Sequence, residues 1–225
     1  MQRKLIITED GSSSIHLPEW DESYHSKHGA VQEAYHVFLK MGLFHFLKKD
    51  PIKKPVQILE IGFGTGLNAF ITLLEAEKNA LQIEYTGVEA YPVKPDEVGQ
   101  LNYVQQLSAE NSASVFQEIH KIPWGEFHEF VPGFRLKKEE KLFQDISEKN
   151  QFHLIYFDAF GARVQPELWT KEIFEKMHAA LQKNGVLVTY SAKGSVKRAM
   201  KAIGFEVEIL QGPPGKRHML RAIKI

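Results

Sequence analysis

The sequence contains no cysteine, which removes disulfide bonds, thiolate zinc sites, iron–sulfur clusters and a cysteine nucleophile from the chemistries open to it. It also lacks a long apolar run, because the longest one reaches only about half the length that a membrane-spanning helix needs. No apolar segment follows the charged N-terminus, so no secretory signal is predicted. These absences predict a cytoplasmic protein.

An excess of one charge is missing as well. Lysine and arginine number 28, aspartate and glutamate also number 28, and the formal net charge is zero. A protein that coats nucleic acid over its whole surface needs a basic excess, whereas a local basic patch is compatible with this balance. With 225 residues, of which 43% are hydrophobic, the chain has the size of one large domain or one domain with a small appendage.

Short apolar strands alternate with helices along most of the chain. Strands are predicted at 56–61, 83–90, 152–157 and 185–191, and helices at 67–77, 169–181 and 195–203. This alternation predicts a doubly wound, mostly parallel α/β sheet with helices on both faces. Two further strands, at 205–210 and 218–225, are joined by a short connection and predict one antiparallel strand at the C-terminal edge of the sheet.

The N-terminal part follows a different pattern. Two extended runs on either side of Asp10-Gly11 predict a hairpin, and the apolar spacing over residues 30–47 predicts a helix that Gly42 is able to break. A polar, proline-marked joint follows at residues 53–55. We therefore predict an N-terminal extension over residues 1–55, made of hairpin and helix and packed on the core, and a core domain over residues 56–225.

The region between residues 90 and 152 is less regular. Residues 96–122 have a weakly helical periodicity, and residues 127–136 are predicted as a further strand. The charge run at 137–141 is predicted as a solvated turn, because charged side chains in sequence usually face water.

A glycine-rich turn separates the first core strand from the first core helix. The strand enters it through Glu60, and Gly62, Gly64 and Gly66 let the backbone approach a ligand beside the free N–H groups of the helix N-terminus. A dinucleotide-binding turn requires glycine where Leu67 stands, and a Walker loop requires a Gly-Lys-Ser/Thr ending. The pattern instead resembles the first motif of class I S-adenosylmethionine-dependent methyltransferases. A nicotinamide-dependent oxidoreductase stays open as a less favoured alternative.

The acid that ends the second core strand fits the same resemblance. In this class the glycine loop faces the amino-acid part of the cofactor, and an acid at the end of the second strand binds the ribose hydroxyls. Glu89 has that place, and a carboxylate is able to accept hydrogen bonds from two neighbouring hydroxyls. The alternatives are a solvated strand end for Glu89 and a loop-bracing role for Glu60.

Five segments together resemble one family within this class. They are Tyr24-His25-Ser26 with Gly29 and Glu33; Tyr35-His36-Val37-Phe38-Leu39; Gly62-Phe63-Gly64-Thr65-Gly66-Leu67-Asn68; Phe157-Asp158-Ala159-Phe160 with Pro166, Leu168 and Trp169; and Gly215-Lys216-Arg217-His218. They resemble the methyltransferase domain of the MnmC family, and they extend over nearly the whole chain. The resemblance implies a Rossmann-like fold, S-adenosylmethionine as cofactor, and methylation of the aminomethyl group of a modified wobble uridine in tRNA.

The resemblance also implies which residues form the site. Cofactor contacts are expected from Tyr24, Glu60, Gly62, Gly64, Gly66, Asn68, Glu89 and Asp145, the last toward the adenine amino group or, alternatively, as a helix cap. Phe160 and Arg163 are expected on the substrate side. The family often has Asp-x-Phe-Ala-Pro-x-Lys-x-Pro here, whereas this chain has Ala162 and Val164 at the inner proline and the lysine, with Arg163 between them.

Asp158 is the candidate catalytic residue. It ends a strand at the edge where open α/β sheets bind ligands. A carboxylate there is suited to orient the amine, and the proton is expected to pass to water, because a carboxylate beside an ammonium stabilises the charged form. The alternative is a helix cap. Tyr24 and Phe160 are candidate walls around the cofactor or an unstacked base, with plain packing as their alternative.

Two basic groups are expected to hold tRNA phosphates if they meet at the same edge of the sheet, with a scattered solvated surface as the alternative. They are Lys193, Lys197, Arg198 and Lys201, and Lys216, Arg217 and Arg221. No metal site is predicted from the histidine spacing.

The resemblance also bears on partners. Many members of the family carry a fused flavin-dependent domain; since this chain ends at Ile225, no flavin chemistry is expected, nor a membrane, and a monomer is predicted. Two different functions stay open beside the tRNA methyltransferase. One is a methyltransferase that acts on a small molecule or protein, and the second is a non-catalytic module that binds cofactor or RNA.

Overall fold

A small antiparallel sheet begins the computed structural model, which describes residues 2–49 and 55–225. Its strands are β1 (Lys4–Ile7), β2 (Ser13–Leu17) and β3 (Glu22–Ser23), in the order β1-β2-β3. The turn between the first two strands includes Gly11, whose φ of 84° suits glycine. The predicted N-terminal hairpin is therefore confirmed.

The central sheet has eight strands in the order β10-β11-β9-β8-β4-β5-β7-β6. They are β4 (Val56–Ile61), β5 (Ile83–Glu89), β6 (His128–Val131), β7 (Phe134–Glu140), β8 (Phe152–Phe157), β9 (Leu181–Thr189), β10 (Phe205–Gln211) and β11 (His218–Lys224). The five strands from β9 to β7 in this order run parallel. The predicted doubly wound, mostly parallel fold is confirmed. The antiparallel strand of the C-terminal pair is β11, which lies one place inside the edge because β10 pairs along its outer side.

Helices cover both faces of this sheet. They are α1 (Ala30–Ala34), α2 (Phe44–Lys49), α3 (Leu67–Lys78), α4 (Pro95–Val98), α5 (Tyr103–Gln106), α6 (Ala113–Lys121), α7 (Lys171–Ala180) and α8 (Gly194–Ala202), with a π-helical segment, Tyr35–Leu43, joining α1 to α2. Gly42 does not break this first helix. A Cβ at Gly42 would lie 3.0 Å from Val188 and 3.4 Å from Tyr156, so glycine lets the π-helical segment pack closely on β8 and β9.

The charge run at 137–141 is the clearest difference from the sequence prediction. Lys137–Glu140 is the end of β7 rather than a solvated turn, and Lys138 is only 2% exposed. Its amine donates to the His120 carbonyl at 2.8 Å and lies 4.7 Å from the Trp124 ring centroid. The prediction was wrong because a long lysine stem is able to cross a buried face and place its charge on a helix C-terminus.

Two other irregular segments also differ from their predictions. Residues 96–122 contain α4, α5 and α6 with breaks between them rather than one helix. Residues 127–136 contain two strands, because a turn at Gly133 with φ of 88° folds β6 back on β7. This hairpin adds an antiparallel strand at the edge of the sheet opposite β10.

Buried side chains fill both faces of the central sheet. One cluster lies under α1, α3, α6 and the π-helical segment and includes Phe38, Phe70 and Phe116. The other lies under α7 and α8 and includes Phe157, Trp169 and Phe174. The two packed faces hold the carboxyl ends of β4, β5 and β8 at one edge, where the loops that follow them converge.

The division of the chain at residue 55 stays a prediction, and most of the predicted joint, residues 53 and 54, lies outside the described residues. The N-terminal sheet contacts the core through polar groups: Asn102 accepts from the Ser13 backbone at 2.7 Å, and Arg3 pairs with Glu97 at 2.9 Å. Over the part of the chain that the structure describes, no helix is long and apolar enough to cross a membrane.

Candidate active site

A cavity of about 1470 Å³ opens at the carboxyl edge of the parallel strands. Its lining comes from the loops after β4, β5, β7, β8 and β9, from the loop between β10 and β11, and from N-terminal residues before β1, between β2 and α1, and on α1. In open α/β sheets, ligands bind at this edge, where neighbouring connections leave in opposite directions. The cavity is therefore the candidate active site.

The glycine loop forms one wall of this cavity. Gly62, Gly64 and Gly66 have φ values of 90°, 50° and 72°, a region that other residues rarely adopt. A Cβ on Gly62 would lie 2.6 Å from the Asp158 carbonyl oxygen, and one on Gly64 would lie 3.1 Å from the Tyr24 ring. The backbone conformation and the close packing together require glycine at these positions. Without side chains there, the loop backbone is exposed to the cavity.

Glu89 binds this loop from the end of β5. One carboxylate oxygen accepts from the Gly64 backbone at 2.9 Å, and the other accepts from the backbones of Ala90 and Tyr91 at 3.0 and 2.9 Å. Glu89 lines the cavity, so it braces the loop and faces a ligand at once. The loop-bracing role was predicted for Glu60 rather than for Glu89, whose alternative to ribose binding was a solvated strand end.

A buried hydrogen-bonded chain connects the glycine loop to Asp158. The Asn68 amide nitrogen, in the first turn of α3, donates to Glu60 at 2.8 Å and to Asp158 at 2.9 Å. Glu60 is fully buried behind the cavity wall, and burial raises its pKa well above the ordinary value. Within residues 2–49 and 55–225, the second Glu60 oxygen and the Asn68 oxygen have no hydrogen-bond partner.

Asp158 is half-buried where β8 ends and lines the cavity. Burial and, next, the neighbouring charge of Glu33 raise its pKa to about 7, against the opposite effects of the Asn68 hydrogen bond and Lys216. A carboxyl group that titrates near neutral pH and faces a cavity is typical of a functional site.

Glu33 and Lys216 form an ion pair in the same wall. Glu33, on α1, is 7% exposed and also accepts from the Ser26 backbone at 2.8 Å. The Lys216 amine lies 4.0 Å from the centroid of the Tyr190 ring, and the Tyr190 hydroxyl donates to the Ala159 carbonyl at 2.8 Å. This wall therefore joins four separate parts of the chain.

Aromatic rings from the N-terminal segment cover the cavity. Tyr24 packs edge-to-face on Phe160 with the ring centroids 4.9 Å apart, and Trp20 does so at 5.7 Å. Arg163 fixes this cover, because its guanidinium donates to the carbonyls of Trp20 and Asp21 at 2.9 and 2.8 Å. The structure brings Tyr24 and Phe160 together in the lining, and it uses Arg163 outside the lining as a clamp.

His25 connects the N-terminal segment to the glycine loop. Its ring nitrogens lie 3.1 Å from the Ser14 hydroxyl and 3.4 Å from the Thr65 hydroxyl, and Tyr103 donates to Thr65 at 3.0 Å. Burial lowers the pKa of His25 to about 4, so its ring is neutral at physiological pH. The loop is thus held by uncharged hydrogen bonds on one side and by Glu89 on the other.

Several residues predicted from the sequence lie outside the cavity lining. Asp145 is exposed on a 3-10 turn, Phe143–Asp145, whose Phe143 and Gln144 line the cavity instead. Lys193, Lys197 and Arg198 lie at the start of α8, and Arg217 is exposed beside Lys216. Of the basic residues predicted for the site, only Lys216 reaches the described lining.

Arg221 was expected in the basic patch and is buried instead. Its guanidinium donates to Glu208 at 2.6 Å and to the Met41 carbonyl at 3.2 Å, and 7% of the residue is exposed. This prediction was wrong because Arg221 faces inward from a strand covered by the first helix. The α8 residues and the Lys216 loop do share one edge, since β9 and β10 run in the same direction.

Glu33, Tyr190 and His25 had no role assigned from the sequence. Glu33 had one available signal, because an acid between Ala30 and Ala34 lies on the apolar face of a helix, where an unpaired carboxylate is costly. Glu33 and His25 also stand in the segments that carry the family resemblance, whereas Tyr190 had no signal beyond its place next to a strand end.

Comparisons with known proteins agree with this geometry. A family described as S-adenosyl-L-methionine-dependent methyltransferase matches residues 136–225. The tRNA 5-methylaminomethyl-2-thiouridine biosynthesis bifunctional protein MnmC of Pseudoalteromonas atlantica is 28% identical over 91% of this chain, and its Leptospira interrogans counterpart is 28% identical over 90%. The chain spans about a third of the length of these curated relatives.

Solved structures give the same relationship. The crystal structure of MnmC2 from Aquifex aeolicus superposes with a TM-score of 0.79 and 25% identity, over 98% of this chain and 69% of that one. Spermidine synthase from Thermotoga maritima, at 13% identity and a TM-score of 0.54 over 99% of this chain and 73% of its own, shares the fold.

Proposed function

We propose, from its similarity to MnmC methyltransferase domains, that this chain methylates the aminomethyl nitrogen of 5-aminomethyl-2-thiouridine at the wobble position of tRNA. The methyl donor is S-adenosylmethionine. The observation that carries the proposal is one cavity that combines a bare glycine loop with Asp158, a carboxylate without a cationic partner among the described side chains. Because its substrate is tRNA, we place the protein in the cytoplasm.

The residues of the glycine loop fit the cofactor. A Cβ at Gly62 or Gly64 would meet the Asp158 carbonyl or the Tyr24 ring, so glycine at these positions leaves room for the cofactor carboxylate beside the N-terminus of α3. Glu89 would accept hydrogen bonds from the ribose hydroxyls at the end of β5. When bound, the cofactor supplies an activated methyl group on a sulfonium. Glu60 contributes from behind the wall, through its hydrogen bond with Asn68.

Asp158 orients the acceptor amine. A primary amine is protonated near neutral pH, and only its neutral form carries the free electron pair that attacks the methyl group. Asp158 holds the amine by accepting its N–H, Asn68 fixes the Asp158 carboxylate, and the released proton passes to water. Positioning of the amine in the cavity supplies most of the acceleration, because the leaving group needs no protonation.

The aromatic cover suits an unstacked base. Tyr24, Trp20 and Phe160 pack edge-to-face in the cavity that Asp158 lines, and aromatic faces bind bases that have left a stack. We propose that residues 1–55 act as this cover for the methyltransferase domain at 56–225. Lys193, Lys197, Arg198 and Arg217 extend outward from the same edge, where they meet phosphates.

Replacement of Glu89 by alanine is expected to weaken cofactor binding by about 1.5–3 kcal/mol for each hydrogen bond lost to the charged acceptor. The loop also loses the acceptor for the Gly64 backbone. Calorimetry with S-adenosylmethionine measures the effect. Glu84→Ala is the matched control, because Glu84 lies on the same strand but pairs with Arg135 away from the cavity. An affinity within about twofold of wild type would show that Glu89 does not contribute to cofactor binding.

Charge reversal at Lys197 and Arg198 is expected to raise the KM for tRNA and to leave cofactor affinity intact. Binding through phosphates also predicts that the logarithm of the tRNA affinity falls with the logarithm of the salt concentration, with a slope of about −0.7 to −0.9 per phosphate contact. The slope of the variant should be shallower by the equivalent of about two contacts. The Lys48→Glu, Lys49→Glu variant is the control, since it makes the same charge change in α2, just before β4 begins at the opposite edge of the sheet. Equal effects of both variants on the KM for tRNA would show that only the overall charge of the protein matters and that Lys197 and Arg198 make no specific contact.

Mass spectrometry of tRNA nucleosides tests the proposed reaction. Incubation with S-adenosylmethionine and tRNA that carries 5-aminomethyl-2-thiouridine should add one methyl group to that nucleoside. If the methyl group is instead found on a protein or a small amine, and tRNA is unchanged, then tRNA is not the substrate. No transfer to any acceptor, despite cofactor binding, would identify a non-catalytic module.

A further inference from the structure

The Glu33–Lys216 ion pair lies beside Asp158 in the cavity wall. The two charges act on Asp158 in opposite directions, because Glu33 raises the pKa of that carboxyl group and Lys216 lowers it. The pair joins α1 to the loop between β10 and β11, and 183 positions separate its members. Its charges are therefore placed next to Asp158 by the tertiary fold.

The backbone that carries Lys216 has little freedom. Its N–H donates to the Pro213 carbonyl at 2.9 Å, within a turn closed by a Gly212 N–H bond to the Arg217 carbonyl at 3.2 Å. A Cβ on Gly212 would lie 2.3 Å from the Lys216 carbonyl oxygen, and one on Gly215 would lie 1.9 Å from the His28 ring. The Lys216 amine is thus held by its turn, by Glu33 and by the Tyr190 face, which makes it a preorganised charge.

The ion pairs in this part of the cavity leave one carboxylate without a counterion. Glu22 pairs with Arg163 at 3.1 Å, and Glu33 pairs with Lys216. Asp158 accepts only from the Asn68 amide among the hydrogen bonds of the described residues.

Burial favours the neutral form of three other titratable groups near the pair and Asp158. Burial raises the pKa values of Tyr190 and Glu60 and lowers the pKa of His25. The remaining neighbour, His28, packs against Gly215 and lies 2.9 Å from Glu9 on the outer side of the loop.

We propose that Lys216 is a positioning residue that neutralises Glu33, so that a single carboxylate, Asp158, meets the acceptor amine. This charge balance sets the pH at which the amine loses its proton. A carboxylate next to an ammonium favours the charged form, and two uncompensated carboxylates would hold the amine in the form that is unable to attack. The identity of the acceptor rests on the proposed function, whereas the charge balance around Asp158 does not.

The direct test is an NMR titration of the Asp158 carboxyl carbon in the protein without added cofactor. Lys216→Met should raise the Asp158 pKa by about one pH unit, and Glu33→Gln should lower it by a similar amount. The double variant Lys216→Met, Glu33→Gln removes both charges and should return the pKa toward the wild-type value. Lys171→Met is the matched control, because its exposed pair with Glu175 at 3.2 Å lies outside the cavity and should leave the titration unchanged.

The activity arm uses the pH profile of kcat. Its acid limb should move to higher pH in Lys216→Met, to lower pH in Glu33→Gln, and back in the double variant, while Lys216→Arg should keep the wild-type limb. If wild type methylates no tRNA, the proposed function fails, and the NMR arm still decides the charge balance. If Lys216→Met does not fold, Lys216→Gln removes the same charge and retains a polar side chain. Single variants that shift the Asp158 pKa in the same direction, or leave it in place, would overturn the proposal and reduce the pair to a structural ion pair.

Discussion

Asp158→Ala is expected to lower kcat by at least about 100-fold and to change the affinity for S-adenosylmethionine little, because the lost contact positions the acceptor amine. Asp158→Asn should retain more activity than Asp158→Ala, since an amide oxygen still accepts a hydrogen bond from the amine. Single-turnover methylation of tRNA measures the chemical step, and calorimetry measures cofactor binding. Equal and total loss in both variants would identify a general base, and full activity in Asp158→Ala would remove Asp158 from the mechanism.

The raised pKa of Asp158 also makes the stability of the folded protein depend on pH. The Asp158 carboxyl has its ordinary pKa of 3.8 in the unfolded chain and about 7 in the folded protein. Between these values the folded state binds more protons than the unfolded state, so this group's contribution to stability falls as pH rises. The stability of Asp158→Asn relative to wild type should therefore increase from about pH 4 to pH 7, as measured by denaturant unfolding. A difference that is constant with pH would show that Asp158 ionises normally.

Gly64→Asp is expected to abolish measurable cofactor binding. The residue has φ of 50°, its N–H donates to Glu89, and a Cβ there would lie 3.1 Å from the Tyr24 ring. A carboxylate at this position would face both Glu89 and the carboxylate of the cofactor, and like charges at short range are repelled. Calorimetry with S-adenosylmethionine gives the result directly.

Gly125→Asp is the control for backbone strain. Gly125 has φ of 90°, and a Cβ there would have nothing within 4 Å, so the substitution imposes a left-handed backbone without filling a cavity. This control should bind the cofactor with wild-type affinity. Circular dichroism of both variants separates a damaged loop from an unfolded protein. Retained affinity in Gly64→Asp would exclude this loop as the cofactor site.

The parts of the fold that the sequence predicts well are those with local causes. The strand at 56–61, the glycine turn and α3 follow from an apolar run, from residues that adopt positive φ, and from helical spacing. The charge run at 137–141 has no such local signal. Lys138 is buried because its amine reaches the end of α6, a contact made only once β7 has joined the sheet.

The candidate site also contains some residues whose places follow from local sequence patterns and others whose places do not. The glycines, Glu89 and Asp158 follow strand ends, so their places were predictable from the alternation of strands and helices. Lys216 was predicted as a phosphate contact, and the structure turns it to Glu33 inside the cavity. Arg163 clamps the aromatic cover for a similar reason, since its partners lie more than 140 positions away along the chain. Pairings over such separations depend on the strand order, which local patterns do not encode.

The position of β11 has a consequence for how the molecule is made. This strand joins β10 to β9, and it is the last strand of the sheet to be synthesised. Gly215 and Lys216 emerge from the ribosome immediately before it, long after Glu33 and the first helix. Contacts across such separations form late in folding, because a long loop must close first. The side of the cavity that holds Glu33 and Lys216 is therefore expected to close last, after translation of the sheet is complete. A nascent chain is expected to form its glycine loop before this side.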